Sequence, residues 1–217
     1  MKMRYILAAL LLSCVGMVHS EPVSYADLAK HFEYTEVKIS PDGQYLAALS
    51  VVNGQRSLAL VHLSDKKGRV VQPREGDDVI DFWWASPTRV VYTVGEHMGG
   101  YDRPLSTGEL FGVGADGGNP LLLYGYRKGD SSTGSLTRHG GAKNGTAEFI
   151  AAIPGDPDHA LVSISSWAGA GSEGALSEAY KMDLRTGDTA HIINAPGRNM
   201  TFVADHQGQI RFVYGQD

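Results

Sequence analysis

A serine between glycines is the first place to look for catalytic chemistry, in Ala170-Gly171-Ser172-Glu173-Gly174. In α/β-hydrolases the nucleophilic serine stands in a Gly-x-Ser-x-Gly turn between a strand and a helix, beside a histidine base and an oxyanion hole. Here Ala170 replaces the first glycine of that motif, and no long helical pattern follows it. The sequence therefore predicts that Ser172 is a loop residue, that this chain holds no catalytic triad, and that it is inactive alone.

Metal chemistry is not supported by the spacing of the potential ligands. The eight histidines are scattered, with no His-Glu-x-x-His motif and no pairing with the single cysteine, which are the patterns of zinc sites. Asp77-Asp78 and the pair Asp156 and Asp158 offer oxygen ligands to a cation, but aspartates more often cap turns. We predict no catalytic residue, no metal site and no cofactor-binding site.

The composition indicates a globular protein rich in turns. The 217 residues are 42% hydrophobic and 20% charged and include 27 glycines, against an average glycine usage of about 7%. Together with nine prolines and no long helix-period pattern, this favours many short strands joined by tight turns. The net charge of −5 gives no general attraction for phosphate backbones, so we expect no nucleic-acid partner.

Residues 1–20 have the pattern of an export signal. Two basic residues within the first four are followed by an apolar stretch from Ile6 to Val18, as in a signal peptide. The small residues of Val18-His19-Ser20 favour cleavage before Glu21 and predict a periplasmic or secreted protein. Alternatively, Leu11-Leu12-Ser13-Cys14 resembles a lipoprotein processing site that would leave a lipid anchor on Cys14. No later stretch has the roughly 18 apolar residues of a membrane span.

A repeated turn-then-strand pattern organises the rest of the chain, after one short helix predicted from Tyr25 to His31. The turn Ser40-Pro41-Asp42-Gly43 precedes an apolar strand at 45–52, and similar turns, including Asp156-Pro157-Asp158, precede apolar runs further along. They recur at intervals of about 40–50 residues, the period of four-stranded propeller blades; one longer interval, from Pro87 to Pro157, requires an insertion. We predict an all-β fold, an incomplete β-propeller of four-stranded antiparallel blades, with a β-sandwich as the alternative.

The blades and their strands follow from the same alternation of apolar runs and turns. A partial propeller domain is predicted over 21–217, with blades at 36–72, 79–124 and 149–193 and an incomplete one at 200–217. The predicted strands are 36–39, 45–52, 58–63, 69–72, 79–84, 89–94, 109–113, 121–124, 149–153, 160–165, 179–184, 189–193, 200–204 and 209–214. Adjacent Trp83 and Trp84 lie on opposite faces of one strand, so we expect both to pack between blades. Because the fourth blade holds two strands, we expect weakly cooperative unfolding or self-association.

Two surplus segments of the second blade are candidates for binding, since long loops on a rigid scaffold often carry function. The first runs from Glu96 to Gly108 and includes His97, Tyr101 and Arg103. The second runs from Gly125 to Glu148, is rich in glycine and serine, and includes the basic residues Arg127, Lys128, Arg138 and Lys143. Its composition favours a surface excursion over a binding loop.

Three stretches resemble one family. The run Val37-Lys38-Ile39-Ser40-Pro41-Asp42-Gly43-Gln44-Tyr45-Leu46-Ala47 is similar to the opening blade of bacterial prolyl oligopeptidase-like serine peptidases. The stretch from Asp81-Phe82-Trp83-Trp84 through Val94-Gly95-Glu96 resembles the second blade of exported members, as does Leu105-Ser106-Thr107-Gly108-Glu109-Leu110-Phe111 with its turn Ala115-Asp116-Gly117. The resemblance covers the chain from about Tyr25 to its end.

This resemblance implies an exported two-domain enzyme in which a propeller precedes an α/β-hydrolase domain with a Ser, Asp and His triad. In such enzymes the propeller admits only peptides and small esters to the nucleophile. No matching position of this chain is catalytic, and no hydrolase domain precedes Asp217, so we expect a fragment or truncated product. Its role would be to gate and select peptide substrates for the missing C-terminal hydrolase domain. The alternative is a non-catalytic periplasmic propeller that binds a protein or envelope partner.

Overall fold

Fourteen β-strands build the part of the chain that the computed structural model describes, residues 34–127, 143–168 and 174–215. These residues belong to one compact unit, Glu33–Asp217. None of them is helical, and they include no helix long and apolar enough to cross a membrane. The predicted signal peptide at 1–20, Cys14 and the predicted helix from Tyr25 to His31 lie outside the described residues.

The strands form four antiparallel sheets in chain order, three of four strands and one of two. Within each sheet, every strand pairs with the strands next to it in sequence. The first sheet contains β1 (Tyr34–Ile39), β2 (Tyr45–Val52), β3 (Gln55–His62) and β4 (Gly68–Val71). The second contains β5 (Asp77–Ser86), β6 (Arg89–Glu96), β7 (Leu105–Gly114) and β8 (Leu121–Tyr124). The third contains β9 (Gly145–Ile153), β10 (Asp156–Ser166), β11 (Leu176–Asp183) and β12 (Thr189–Arg198), and the fourth β13 (Met200–Ala204) and β14 (Ile210–Gly215).

This architecture confirms the predicted fold class, an all-β chain whose successive sheets are consistent with an incomplete β-propeller. The turns that signalled it are closed by local hydrogen bonds. Ser40 Oγ donates to Asp42 Oδ1 (2.6 Å) and accepts from the backbone N–H of Tyr45 (2.9 Å). Gly43 has a φ of 71°, which glycine adopts without steric cost. Such a turn needs no tertiary contact, which is why it can be recognised in sequence.

The core consists of three interfaces between successive sheets. One buried cluster joins the first and second sheets and includes Leu49, Leu60 and Phe82. A second joins the second and third sheets, and a third places Phe202 against the third sheet. Burial of a leucine or phenylalanine side chain stabilises the fold by about 1.5–3 kcal/mol, so the stacking of the sheets is the main source of stability.

Trp83 and Trp84 confirm the prediction that both pack between blades, one on each face of β5. Trp84 packs against the cluster shared with the first sheet, and its Nε1–H donates to the carbonyl oxygen of Lys38 (3.1 Å). Trp83 packs against the cluster shared with the third sheet and stacks on Phe149 with ring centroids 5.5 Å apart.

Several strands are longer than predicted, and one predicted turn is wrong. β7 begins at Leu105 rather than at residue 109, and β9 begins at Gly145, inside the second surplus segment. The predicted turn Asp156-Pro157-Asp158 belongs to β10. The chain turns instead at Pro154-Gly155, where Gly155 has a φ of 77°, because this proline-glycine pair supplies both conformations that a tight turn needs.

Because consecutive antiparallel strands alternate in direction, the connections fall on two edges of the sheets. The turn edge carries the connections at 40–44, 63–67, 87–88, 115–120, 154–155, 184–188 and 205–209. The loop edge carries those at 53–54, 72–76, 97–104, 125–127, 143–144, 167–168, 174–175 and 199. Gln55 Nε2 donates to the carbonyl oxygen of Asp77 (2.7 Å), which holds the loop-edge ends of β3 and β5 together.

Candidate functional site

A buried ion cluster lies beneath the loop edge of the second sheet. The Arg127 guanidinium donates from Nε to Glu109 Oε2 (2.6 Å) and from Nη1 to Asp77 Oδ2 (2.7 Å). Its backbone N–H also donates to Glu109 Oε1 (3.3 Å). Glu109 is 0% exposed and Asp77 is 2% exposed. Two buried carboxylates therefore hold one arginine at the point where the chain leaves β8.

The charge state of this cluster follows from its contacts. Burial disfavours the charged form of Arg127, but the hydrogen bonds to Glu109 and Asp77 and their negative charges outweigh it, so its pKa is raised above the ordinary value. Asp77 Oδ1 is buried and makes no hydrogen bond with any described residue. Asp77 therefore depends on Oδ2, which also lies 3.9 Å from Nε of the more exposed Arg74.

A glycine is required where the chain passes over this cluster. Gly125 has a φ of 150°, and a Cβ atom there would lie 2.5 Å from Glu109 Cγ. Any side chain at this position would push Glu109 away from Arg127. The close approach lets the backbone of residues 125–127 run directly across the buried carboxylate.

The ion cluster supports a pair of exposed aromatic rings. The Arg127 guanidinium lies 5.3 Å from the ring centroid of Tyr126, and the Tyr126 ring lies 5.9 Å from that of Trp167. Trp167 Nε1–H donates to Thr146 Oγ1 (3.1 Å). Tyr126 and Trp167 are nevertheless 36% and 45% exposed. We call these two residues the aromatic pair; it joins the second and third sheets at the loop edge.

The first surplus segment contributes further exposed side chains to the same edge. Met98 and Tyr101 are 50% and 62% exposed. His97 Nε2 lies 2.9 Å from Asp78 Oδ2, and Asp78 Oδ1 accepts from the backbone N–H of Arg56 (2.8 Å). The base of this segment is thus tied to the first sheet, while its apolar side chains face solvent.

The carboxylate pairs considered as cation ligands are engaged with basic groups. Asp77 contacts Arg127, and Asp78 contacts His97. On the turn edge, Asp156 accepts hydrogen bonds from Lys181 and His159, which lower its pKa to about 2. Asp158 contacts Arg185. Among the described residues, no group of three or more His, Cys, Asp or Glu side chains could hold a metal ion.

The remaining candidates divide between the two surplus segments and the glycine-flanked serine. Ser172, Lys128 and Arg138 lie outside the described residues, and Lys143 Nζ lies 5.6 Å from the ring centroid of Tyr124. Arg127 was expected in a surface excursion but is anchored in the buried cluster. Glu109 was not singled out from the sequence. A carboxylate within an otherwise apolar strand needs a cationic partner when it is buried. The position of Glu109 in such a strand was therefore the signal that could have identified its pairing with Arg127.

Comparison with known proteins assigns no family. No protein-family model matches the sequence, and no curated protein is a recognisable relative. The solved structures to which this chain is similar include a protein described as a conserved lipoprotein from Clostridium novyi NT. The identity is 12%, the TM-score is 0.42, and the match covers 76% of this chain and 89% of that one.

Two further structures are similar over part of their own length. A chain of the nidogen/laminin complex has 6% identity and a TM-score of 0.40, and the match covers 76% of this chain and 50% of that one. Oligogalacturonate lyase in complex with manganese has 15% identity and a TM-score of 0.35, with coverage of 83% and 58%. These similarities are too low to indicate function, and the resemblance to prolyl oligopeptidase-like peptidases stays a prediction.

Proposed function

We propose that this chain is a peptide-recognition module of an exported serine peptidase, and that it binds peptides at the loop edge and selects them for an α/β-hydrolase domain. The aromatic pair is the observation that carries the recognition part of the proposal. The residues that resemble the opening blades of prolyl oligopeptidase-like peptidases support the peptidase part. The pattern of residues 1–20 supports export, with lipid anchoring through Cys14 as the alternative.

The aromatic pair has the properties of a recognition site for peptide side chains. Tyrosine and tryptophan offer large apolar surfaces with few rotatable bonds and are enriched among residues that dominate binding energy. Tyr126 contacts the guanidinium of Arg127, which is held by Glu109 and Asp77. Trp167 is held by its hydrogen bond to Thr146. Because these contacts fix the rings before a ligand arrives, binding loses less conformational entropy. Exposed Met98 and Tyr101 extend the apolar character of the loop edge.

Peptide binding is tested with a panel of fluorescein-labelled octapeptides that carry aliphatic, aromatic, acidic or basic centres. Fluorescence anisotropy of the full chain should show saturable binding that favours apolar centres. Trp167→Ser should weaken it by at least tenfold, since hot-spot residues contribute about 2 kcal/mol or more. Phe212→Ser is the matched control, because Phe212 is an aromatic residue of β14 that is 70% exposed. Equal affinities of the two variants would contradict recognition by the aromatic pair.

The peptidase part is tested separately, by reading the coding sequence beyond codon 217. An α/β-hydrolase domain with a Gly-x-Ser-x-Gly turn and later aspartate and histidine is the expected result. A continuation without these residues would favour a non-catalytic propeller that binds a protein or envelope partner. The chain itself should remain unlabelled by a fluorophosphonate probe, and stoichiometric labelling at Ser172 would contradict the assignment of catalysis to another domain.

A further inference from the structure

A polar pocket lies at the turn edge, which is the edge of the sheets opposite to the one that carries the ion cluster. Its volume is about 360 Å³, and it lies where the second and third sheets meet. Its lining includes two arginines, Arg89 at the start of β6 and Arg185 in the connection after β11, together with Asn119 and two aspartates, Asp116 and Asp158. Peptide recognition at the loop edge assigns no role to these residues.

Arg89 is a cation without an acidic partner among the described residues. None of their carboxylates lies within 4.0 Å of its guanidinium, and its buried Nε makes no hydrogen bond with any of them. Nη1 makes one long contact, 3.5 Å to the carbonyl oxygen of Asn119. A guanidinium has five N–H donors, so Arg89 retains most of its hydrogen-bonding capacity.

The surface on which the Arg89 guanidinium lies explains why the described residues leave most of its N–H donors without an acceptor. A Cβ atom on Gly112 would lie 3.1 Å from Arg89 Nη2 and 3.1 Å from Leu123 Cδ1. The guanidinium therefore rests on a bare glycine and close to an apolar side chain, neither of which offers a side-chain acceptor. Burial without an acceptor is costly for a cation, and an acceptor entering from the pocket would remove that cost.

The neighbouring acids are engaged elsewhere. Asp116 Oδ1 accepts from the backbone N–H of Gly118 (2.8 Å), and Asp183 Oδ1 accepts from that of Arg185 (2.7 Å). Asp158 contacts the Arg185 guanidinium, which leaves other Arg185 donors for a ligand.

The charge balance around Arg89 supports this description. Burial lowers the pKa of Arg89, the positive charge of Arg185 lowers it further, and the nearby charge of Asp183 only partly opposes them. The surroundings thus disfavour the charged form of Arg89. An anion placed between the two arginines would stabilise it.

We propose that this pocket binds a small oxyanion, a carboxylate or phosphate group, with Arg89 as the principal donor and Arg185 as the second cation. The planar guanidinium fork suits either group, because both present two oxygens at matching separation. The binding is independent of the peptide site at the loop edge. Failure of peptide binding at the loop edge would therefore leave anion binding at the turn edge unaffected.

Isothermal titration calorimetry of the full chain with inorganic phosphate and, separately, with glutarate tests the proposal. We expect saturable binding of at least one probe with one site per chain. Saturation by phosphate alone would identify a phosphate site, and saturation by glutarate alone a carboxylate site. Arg89→Gln should weaken the binding at least tenfold, and Arg89→Lys should restore it only in part, because lysine keeps the charge but not the fork.

Two further variants keep the test decisive if Arg89→Gln fails to fold. Arg185→Gln alters a side chain that is 70% exposed, so it should fold normally and weaken the anion at least threefold. Arg56→Gln is the matched control, since Arg56 is a partly exposed arginine of the loop edge paired with Glu36, and it should bind the anion unchanged. Absence of saturable binding for both probes, or equal affinities in Arg185→Gln and the wild type, would overturn the proposal.

Discussion

Replacing Arg127 with methionine tests the ion cluster that supports the loop edge. The change leaves Glu109 and Asp77, 0% and 2% exposed, without their shared cation. Arg74, 3.9 Å from Asp77, is the remaining basic group in contact with either of them among the described residues. Removing one partner of a buried ion pair costs about 3–5 kcal/mol. That is a large part of a typical unfolding free energy of about 5–15 kcal/mol.

Urea denaturation with linear extrapolation measures this loss. The matched control is Arg56→Met, which breaks an ion pair of 3.1 Å whose side chains are 35% and 42% exposed and should cost about 0–1 kcal/mol. Adding Glu109→Gln to Arg127→Met should recover about 0.5–3 kcal/mol relative to additivity, because a buried charge is removed. If Arg127→Met costs no more than Arg56→Met, the cluster does not stabilise the loop edge.

Two other predictions concern a close sheet contact and a pH dependence. Gly108 and Gly155 have similar φ angles, 74° and 77°, but a Cβ on Gly108 would lie 2.9 Å from the backbone oxygen of Gly145, whereas a Cβ on Gly155 would meet nothing within 4 Å. Gly108→Ala should therefore lower the unfolding free energy by about 1–3 kcal/mol more than Gly155→Ala does. Equal losses in the two variants would mean that the second and third sheets separate easily at this contact. Hydrogen bonds from Lys181 and, to a smaller extent, from His159 lower the pKa of Asp156 from 3.8 to about 2. The ionised Asp156 therefore stabilises the fold above pH 3.8, and this contribution is lost as the pH falls through about 2. Thermal unfolding should show Asp156→Asn less stable than wild type at about pH 5 and close to it near pH 2, whereas a constant difference would show that another interaction is responsible.

The fold could be predicted because its signals are local. In the turn after β7, Asp116 accepts from the N–H of Gly118, and Asp205 does the same for Gln207 in the turn before β14. Each such turn closes within a few residues, so the pattern of turns and apolar runs determines the sequence of sheets. Strand ends were less predictable. Leu105 and Gly145 extend their strands because they pair with Glu96 and Ser166 of the adjacent strands, a non-local interaction that residue preferences do not record.

The candidate site could not be predicted because its parts are distant in sequence. Arg127 is 18 residues from Glu109 and 50 from Asp77. The antiparallel pairing of β5, β6, β7 and β8 brings these residues together. Trp167 comes from the next sheet and meets Tyr126 across the interface. The sequence indicated the two surplus segments as candidate sites, which stays a prediction. The residues that anchor Arg127, which are Glu109 and Asp77, lie in strands outside those segments.

Hydrogen–deuterium exchange of the full chain, with and without a saturating octapeptide from the panel, locates the peptide-binding surface directly. Bound peptide should slow amide exchange at 97–104, 125–127 and 167–168 on the loop edge, because these segments carry the exposed apolar side chains. Exchange at 115–120 and 184–188 on the turn edge should stay unchanged. Slower exchange confined to the turn edge, or saturable binding with no change at 125–127 and 167–168, would contradict peptide recognition by the aromatic pair.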